Sequence, residues 1–281
     1  MRKTAALLTG CLLLVLSGCS STRIAYNYAD QGIIWWVEDY VTLTSAQEEQ
    51  LEQDLDSLQQ WHCSDELPRY STWLRELETD ILSGTPDVET IRYHQQQLLG
   101  FVPQLLERGT PAAQNLLESL SDEQVRELAD NMASKQEELE EEMLAGSPEE
   151  TARARAERTR ERIEGWLGDL NEQQWALVQA WSADRAQQTQ IWLEGRRNWQ
   201  NALLAELDHR KQPGFDDAVR DLLVHSEQAR GEAYRRMSEE SRAAMAVLIH
   251  DLIQAGGPEH REHILAKARD LNSDFVALTC Q

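Results

Sequence analysis

Apolar side chains recur every three or four residues along most of the chain, which is the spacing of one face of an α-helix. No stretch shows the clear alternation of apolar and polar residues that half-buried strands have. Glycine and proline are scarce, at 14 and 7 of 281 residues, whereas Gln, Glu, Ala, Leu and Arg, which favour helices, are abundant. The sequence therefore predicts an all-α protein, an elongated array or bundle of long antiparallel helices.

Capping signals mark several helix starts. The pattern Leu-polar-x-x-Gln occurs three times, beginning at Leu43, Leu120 and Leu170, and each copy fits a capping box. Ser147 and Glu150 fit another. Pro68 predicts a kink or a new helix. Further starts are expected at Thr110–Pro111, at Ser238 and, for the first apolar segment, near Asp30.

The longest predicted helix covers about residues 172–209, and one of its faces combines tryptophans with arginines. An arginine beside a tryptophan can hold a carboxylate or stack on the indole ring. This face is therefore a candidate protein-binding surface, although a tryptophan stripe at helical spacing is also typical of a buried core. The candidate residues are Trp181, Arg185, Trp192, Arg196 and Trp199.

Oppositely charged runs flank the predicted turn at residues 145–148. Five glutamates lie between Glu137 and Glu142, and five arginines lie between Arg153 and Arg162. A helical hairpin here would lay the acidic run beside the arginines, so we expect mutual neutralisation across an antiparallel helix pair. A basic strip that docks lipopolysaccharide or another anion is the alternative interpretation.

Residues 1–19 carry the strongest targeting signal. Arg2 and Lys3 precede an apolar stretch that ends at Leu16, and Leu16-Ser17-Gly18-Cys19 resembles the lipobox of bacterial lipoproteins. In such proteins, cleavage precedes the cysteine, whose sulfur carries diacylglycerol. We therefore expect residues 1–18 to be a signal peptide, Cys19 to be the membrane anchor and residues 19–29 to form a short lipidated tether.

Paired tryptophans follow the expected tether. The apolar run at residues 33–37 is far shorter than the roughly 18 residues that cross a membrane. Trp35 and Trp36 have two open interpretations, a position at the bilayer interface, which suits tryptophan, or packing into the helical core. Core packing is favoured because Glu38 and Asp39 follow directly and would be repelled by anionic headgroups.

Net charge and cysteine content restrict the class of partner and the cellular compartment that the chain is expected to have. The signal holds two basic residues and no acidic one, so the net charge of −22 becomes −24 from Cys19 onward. Such an acidic body argues against nucleic-acid partners. Cys11 is lost with the signal, which leaves Cys63 and Cys280 in an oxidising compartment. They predict a disulfide, with two unrelated thiols as the alternative.

The sequence offers little for catalysis. His260 and His263 stand three positions apart on a predicted helix, a spacing that binds zinc only if a third ligand converges, so they are weak metal candidates. His62 is interpreted as a structural, hydrogen-bonded histidine. No Gly-rich phosphate loop or Gly-x-Ser-x-Gly elbow occurs. We expect no cofactor and no enzymatic activity; an envelope hydrolase or metal-dependent enzyme is the rival class.

The first third of the chain resembles a known family. The carrying residues are Tyr26-Asn27-Tyr28, Trp36 to Val41, Leu43, Gln47, Trp61-His62 and Glu66 to Tyr70. They resemble an uncharacterised family of gamma-proteobacterial helical lipoproteins, known as a domain of unknown function. This resemblance implies an envelope location and a helical fold, and it brings no activity or site residues.

The Leu-polar-x-x-Gln pattern carries a second resemblance. It is similar to the Leu-Thr-x-x-Gln motif of small periplasmic stress chaperones, and only the copy at Leu43 has threonine in second place. This resemblance implies a chaperone-like holdase as an alternative function.

These observations lead to one expected organisation. Residues 30–146 and 147–281 would form two helical halves packed as one body. Ser20, rather than Asp, follows Cys19, which resembles outer-membrane sorting, so the body would lie on the periplasmic face of the outer membrane. The expected function is a non-enzymatic binding, scaffolding or accessory role with an unidentified protein partner.

Overall fold

The structure, a computed structural model, describes residues 21–280, and all regular elements in that range are helices, so the all-α prediction is confirmed. The signal peptide and Cys19 lie outside the described residues. The helices are α1 Ser21–Asn27, α2 Ala29–Glu38, α3 Ser45–Trp61, α4 Leu67–Ser83, α5 Val88–Gly100, α6 Val102–Ser119, α7 Asp122–Leu144, α8 Pro148–Leu167, α9 Glu172–Ala183, α10 Gln188–Leu207, α11 Phe215–Val224, α12 Ser226–Arg230, α13 Glu232–Ala255 and α14 Pro258–Leu278.

The predicted capping boxes are present at the starts of α3, α7, α8 and α9. Two of them also bind each other. Gln47 Nε2 donates to Gln124 Oε1 at 3.1 Å, and Gln124 Nε2 donates to Gln47 Oε1 at 2.7 Å. The capping glutamines therefore fix the starts of α3 and α7 side by side as well as closing their own first turns.

Pro68 interrupts a long helical stretch, which was one of the two alternatives predicted, because the backbone stays helical from α3 into α4 without a side-chain cap. It occupies the first turn of α4, directly after a π-helical turn at His62–Glu66. Two other predicted starts are wrong. Pro111 lies inside α6, and the Thr110 hydroxyl donates back to the Leu106 carbonyl at 2.8 Å. Ser238 lies inside α13, and its hydroxyl donates to Glu227 at 3.0 Å instead of capping.

The prediction of one helix over residues 172–209 is wrong, because the chain turns between α9 and α10. Arg155 of α8 contacts both sides of the break. Its Nη2 donates to the Ser182 carbonyl at 2.8 Å, and its Nη1 donates to the Thr189 hydroxyl at 2.9 Å. The guanidinium therefore holds the end of α9 to the start of α10.

Antiparallel pairing organises the body. The α4–α14 pair is the most extensive, α3 packs on α6, and α7 packs on α10. By contrast, α7 and α8 make few contacts, so the predicted neutralisation between the acidic and arginine runs is wrong. Arg160 pairs with Glu157 and Glu164 of its own helix, and Glu140 pairs with Arg197 of α10.

Two large apolar clusters form the core, and each combines both halves of the chain. One includes Leu128 of α7 with Leu207 of α10. The other includes Ile81 of α4 with Ile264 of α14. A smaller cluster joins Ile34 of α2 to α3. Residues on both sides of position 146 therefore pack together in each of the two large clusters.

Candidate functional site

The segment expected to be a tether is helical from Ser21 and packs on the body. Arg23 Nε donates to the Asp274 carboxylate at 2.8 Å, which joins α1 to α14. Gln59 Nε2 of α3 donates to the Tyr26 carbonyl at 2.9 Å. The Tyr26 hydroxyl and His62 Nδ1 are 3.0 Å apart. Three separate elements therefore hold α1 in place.

Helical hydrogen bonding continues across the junction between α1 and α2. The Tyr28 amide donates to the Ile24 carbonyl at 3.2 Å, and the Gly32 amide donates to the Tyr28 carbonyl at 3.0 Å. Tyr28 itself departs from helical geometry, with φ −115° and ψ 19°, so the junction is irregular although these two bonds span it. Ile24, Tyr28, Gly32 and the Trp35–Trp36 pair are all exposed and form the outer side of α1 and α2.

That side faces solvent and is apolar. Trp35 and Trp36 are 67% and 62% exposed, Tyr28 is 66% exposed and Ile24 is 51% exposed. The favoured expectation that Trp35 and Trp36 pack into the core is therefore wrong. Within this run Ile34, only 3% exposed, enters the core against Leu51 and Leu55, and Val37 is partly buried against the same cluster. We name Ile24, Tyr28, Trp35 and Trp36 the outward stripe.

The outward stripe carries no charged side chain between Ser21 and Val37. The two charged residues in that interval are turned toward the body. Arg23 pairs with Asp274, and one carboxylate oxygen of Asp30 is buried without a hydrogen-bond partner. Beyond Val37, the exposed acidic residues Glu38 and Asp39 follow directly. The outward stripe itself is therefore uncharged.

A polar aromatic cluster lies under α1. The His62 ring lies 5.6 Å from that of Tyr26 and 5.4 Å from that of Tyr70. Burial lowers the pKa of His62, and the nearby Glu66 carboxyl partly opposes that shift. Burial also raises the pKa of Tyr26 and of Tyr70 to about 12. His62 therefore has the structural, hydrogen-bonded environment that the sequence predicted.

Glu66 is the most buried acidic residue of this cluster. Its side chain is fully buried, with one oxygen accepting from Arg69 at 2.5 Å and the other without a partner. Arg69 also donates to Gln104 at 2.6 Å, which extends the network to α6. The cluster joins α1, the π-turn, α4 and α6, so its contacts account for it as a structural junction.

The predicted disulfide is present beside this cluster. Cys63 of the π-turn and Cys280 are joined, with their Cα atoms 5.1 Å apart. The Cys280 amide also donates to the Cys63 carbonyl at 3.3 Å. The bond therefore ties the end of α14 to the same region on which α1 packs.

A second exposed apolar patch lies at the α5–α6 corner, where Leu98, Leu99 and Val102 are 49%, 42% and 46% exposed. Phe101 at this corner turns inward, and its ring lies 4.6 Å from that of Tyr70. The corner is thus connected through Tyr70 to the aromatic cluster under α1.

The structure distributes the predicted tryptophan–arginine surface over two helices. Trp181 packs against the Ile81 cluster, with the Arg185 guanidinium 4.7 Å from its ring centroid. Trp199 packs against the Leu207 cluster and donates to the Leu222 carbonyl at 2.7 Å. These contacts give Trp181 and Trp199, the first and last residues of the predicted surface, structural roles inside the body.

Trp192 and Arg196 of the predicted surface both lie on α10. Arg196 donates to the Gln136 side chain at 2.5 Å and is partly buried, while Trp192 is partly exposed. Trp192 and Arg185 thus keep accessible surface that a partner could contact. A binding role for this region stays a prediction.

The weak metal candidates have structural surroundings instead. His260 is 5% exposed, with its Nδ1 accepting from the Gly257 amide at 3.0 Å and its Nε2 3.1 Å from the Asp169 carbonyl. The His263 ring lies against Gly168, where an added Cβ would meet Nδ1 at 3.2 Å. Among residues 21–280, no three His, Cys, Asp or Glu side chains converge closely enough to hold a metal ion.

Arg155 belongs to the five arginines expected to lie beside the acidic run, but its contacts give it a different, structural role. It is 7% exposed, and it donates to three neutral acceptors: Ser182 Oγ, the Ser182 carbonyl and Thr189 Oγ1. Burial and the neighbouring Arg158 and Arg185 lower its pKa. Its place among alanines at 152, 154 and 156 is the signal that could have indicated a buried position.

The all-helical fold, the disulfide and the packed N-terminal helices define the class of protein: a helical body with an apolar stripe beside its N-terminus. A model of a family of unknown function, DUF6279, matches residues 39–235. This match covers more than half of the chain, so the protein belongs to that family, and the resemblance to an uncharacterised family is confirmed. The match begins after Glu38, so α1 and α2 lie outside it. Neither the comparison with curated proteins nor that with solved structures found a match.

Proposed function

We propose that this protein is a lipid-anchored, non-enzymatic binding or scaffolding protein of the bacterial envelope, attached to the outer membrane through Cys19 and facing the periplasm. The lipobox at residues 16–19 supports the anchor. The disulfide between Cys63 and Cys280 fits an oxidising compartment. No helix within residues 21–280 is long and apolar enough to cross a membrane.

One observation carries the proposal. Helix α1 begins at Ser21, two positions after Cys19, and Arg23 and Tyr26 pack it on α14 and the π-turn. The folded body therefore begins two positions after the proposed lipid, which keeps it close to the leaflet. A body held close to a leaflet suits a protein that presents a surface to a membrane-bound partner.

The anchor is tested on the full chain expressed in a gram-negative host. The account predicts incorporation of labelled palmitate, recovery in the outer-membrane fraction and an N-terminal peptide that begins at a diacylglyceryl Cys19. Cys19→Ala should abolish the label and block cleavage. An unlabelled wild-type chain with an uncleaved N-terminus would contradict the anchor.

The scaffolding role is tested by cross-linking in living cells, with a photoreactive residue at the exposed Glu194 beside Trp192. The proposal predicts one dominant protein partner, reduced at least about tenfold by Trp192→Ala. The control is Trp166→Ala, which removes a tryptophan of 36% exposure on α8. A spread of unrelated unfolded clients would contradict the proposal and favour a chaperone-like holdase.

A further inference from the structure

We propose that the outward stripe of α1 and α2 is a membrane-docking surface that lies along the boundary between headgroups and acyl chains of a neutral phospholipid leaflet. This inference rests on the lipid anchor proposed above and adds a second, protein-borne contact with the bilayer. It assigns a use to four exposed apolar side chains that the packing of the body leaves uncovered.

Chain length places the stripe beside the membrane. Ser21 follows Cys19 by two positions, a reach of at most about 7 Å. From there the chain is helical, so Ile24 lies within about 12 Å of the lipidated residue and Trp36 about 18 Å further along the axis. Because α1 is packed on the body and begins two positions after Cys19, the stripe stays within this distance of the lipidated residue.

The composition of the stripe suits a bilayer interface. Tryptophan and tyrosine have an apolar ring and one hydrogen-bonding group, and they are enriched at the headgroup level of membranes. The side chains of Trp35 and Trp36 are both more than half exposed. Much of each residue is therefore available to contact the bilayer.

The arrangement of charge favours lipid over a basic or acidic protein partner. Arg23 and Asp30 face the body, so the stripe presents no charge for an ion pair across an interface. A helix with one apolar side that lies flat in the interface has this pattern, except that cationic residues usually flank it. Here Glu38 and Asp39 flank it, and the body is strongly acidic. The surface therefore fits neutral headgroups and disfavours anionic ones.

Tryptophan fluorescence of the purified, lipidated full-length protein tests the inference. The protein is reconstituted in vesicles of phosphatidylcholine brominated near the glycerol, whose bromines quench only tryptophans that enter the leaflet. The chain has 9 tryptophans. We expect Trp35→Phe/Trp36→Phe to remove at least about half of the quenchable emission. Trp166→Phe, the exposed control on α8, should leave it unchanged.

The outcomes separate this inference from the proposed anchor. Mass spectrometry of the same sample first establishes whether Cys19 carries lipid, and its absence would overturn the anchor. If the protein is lipidated and quenching is the same in wild type and in the double variant, the docking surface is overturned while the anchor stands. A photoreactive residue at Tyr28 that cross-links to a second copy or another protein, rather than to phospholipid, also overturns it.

Discussion

Arg23 and Asp274 are separated by 251 positions, yet the arginine Nε donates to the aspartate carboxylate at 2.8 Å. The Asp274 side chain is 7% exposed and that of Arg23 is 40% exposed. The pair joins the first described helix to the last. A segment that the sequence suggested to be a tether is thereby part of the folded body.

We expect Arg23→Gln to lower the free energy of unfolding by about 1–3 kcal/mol, because a buried carboxylate loses a charged hydrogen-bond donor. The measurement is urea unfolding, together with proteolysis between α1 and α2, which should become faster. Arg92→Gln removes an exposed ion pair within α5 and should change stability by less than about 0.5 kcal/mol. Equal effects of the two substitutions would show that the Arg23 contact is not formed in solution.

The disulfide closes a loop with a sequence separation of 217. Removing a bond that closes so long a loop increases the entropy of the unfolded chain. We therefore expect Cys63→Ser/Cys280→Ser to lower the free energy of unfolding by about 2–5 kcal/mol. Urea unfolding of the double variant should match that of the reduced wild type. Titration that finds two free thiols per unreduced chain would contradict the pairing.

His62 should make stability depend on pH. Burial holds its pKa below the usual 6.5, so the unfolded chain takes up this proton at a higher pH than the folded chain does. The stability contributed by neutral His62 is full above pH 6.5 and declines as the pH falls toward the lowered pKa.

The measurement is the free energy of unfolding between about pH 8 and pH 5, for wild type and His62→Gln. The free energy of unfolding of the wild type should exceed that of the variant at pH 8, and this difference should shrink as the pH falls. His225→Gln, at an exposed position, is the control and should follow the wild-type curve. If the difference in the free energy of unfolding grew in favour of the wild type as the pH fell, the pKa of His62 would be raised by folding, which contradicts the account.

Gln47 and Gln124 should be energetically coupled, since their side-chain amides exchange two hydrogen bonds. A double-mutant cycle with alanine at both positions should give a coupling energy of about 0.5–1.5 kcal/mol. Gln47→Ala combined with Gln174→Ala is the matched control, because Gln174 donates instead to the Leu252 carbonyl. That pair should be additive within about 0.5 kcal/mol; coupling of similar size in both pairs would argue against a specific contact.

Features that depend on neighbouring residues were predictable. A capping box needs a side chain and a backbone amide three positions apart, so the sequence at Thr44 or Ser121 contains the whole interaction. The disulfide was predictable because the location expected for the chain left only Cys63 and Cys280 to pair.

Features that depend on distant contacts were not predictable from the local sequence. Residues 184–187 contain no glycine or proline, and the side chain that bridges the break, Arg155, belongs to another helix. Residues 33–37 are all apolar, so their pattern does not identify an inner side. Packing of Ile34 on Leu51 and Leu55 turned Trp35 and Trp36 outward.

The central claim is that the segment beside Cys19 is a rigid part of the body. Hydrogen exchange of the lipidated protein in membranes tests it most directly, at the amides of Tyr28 and Gly32, which donate to Ile24 and Tyr28. The account predicts exchange at least about 100-fold slower than in an unstructured peptide. Exchange at the unstructured rate through residues 21–32 would show a flexible tether and contradict the account.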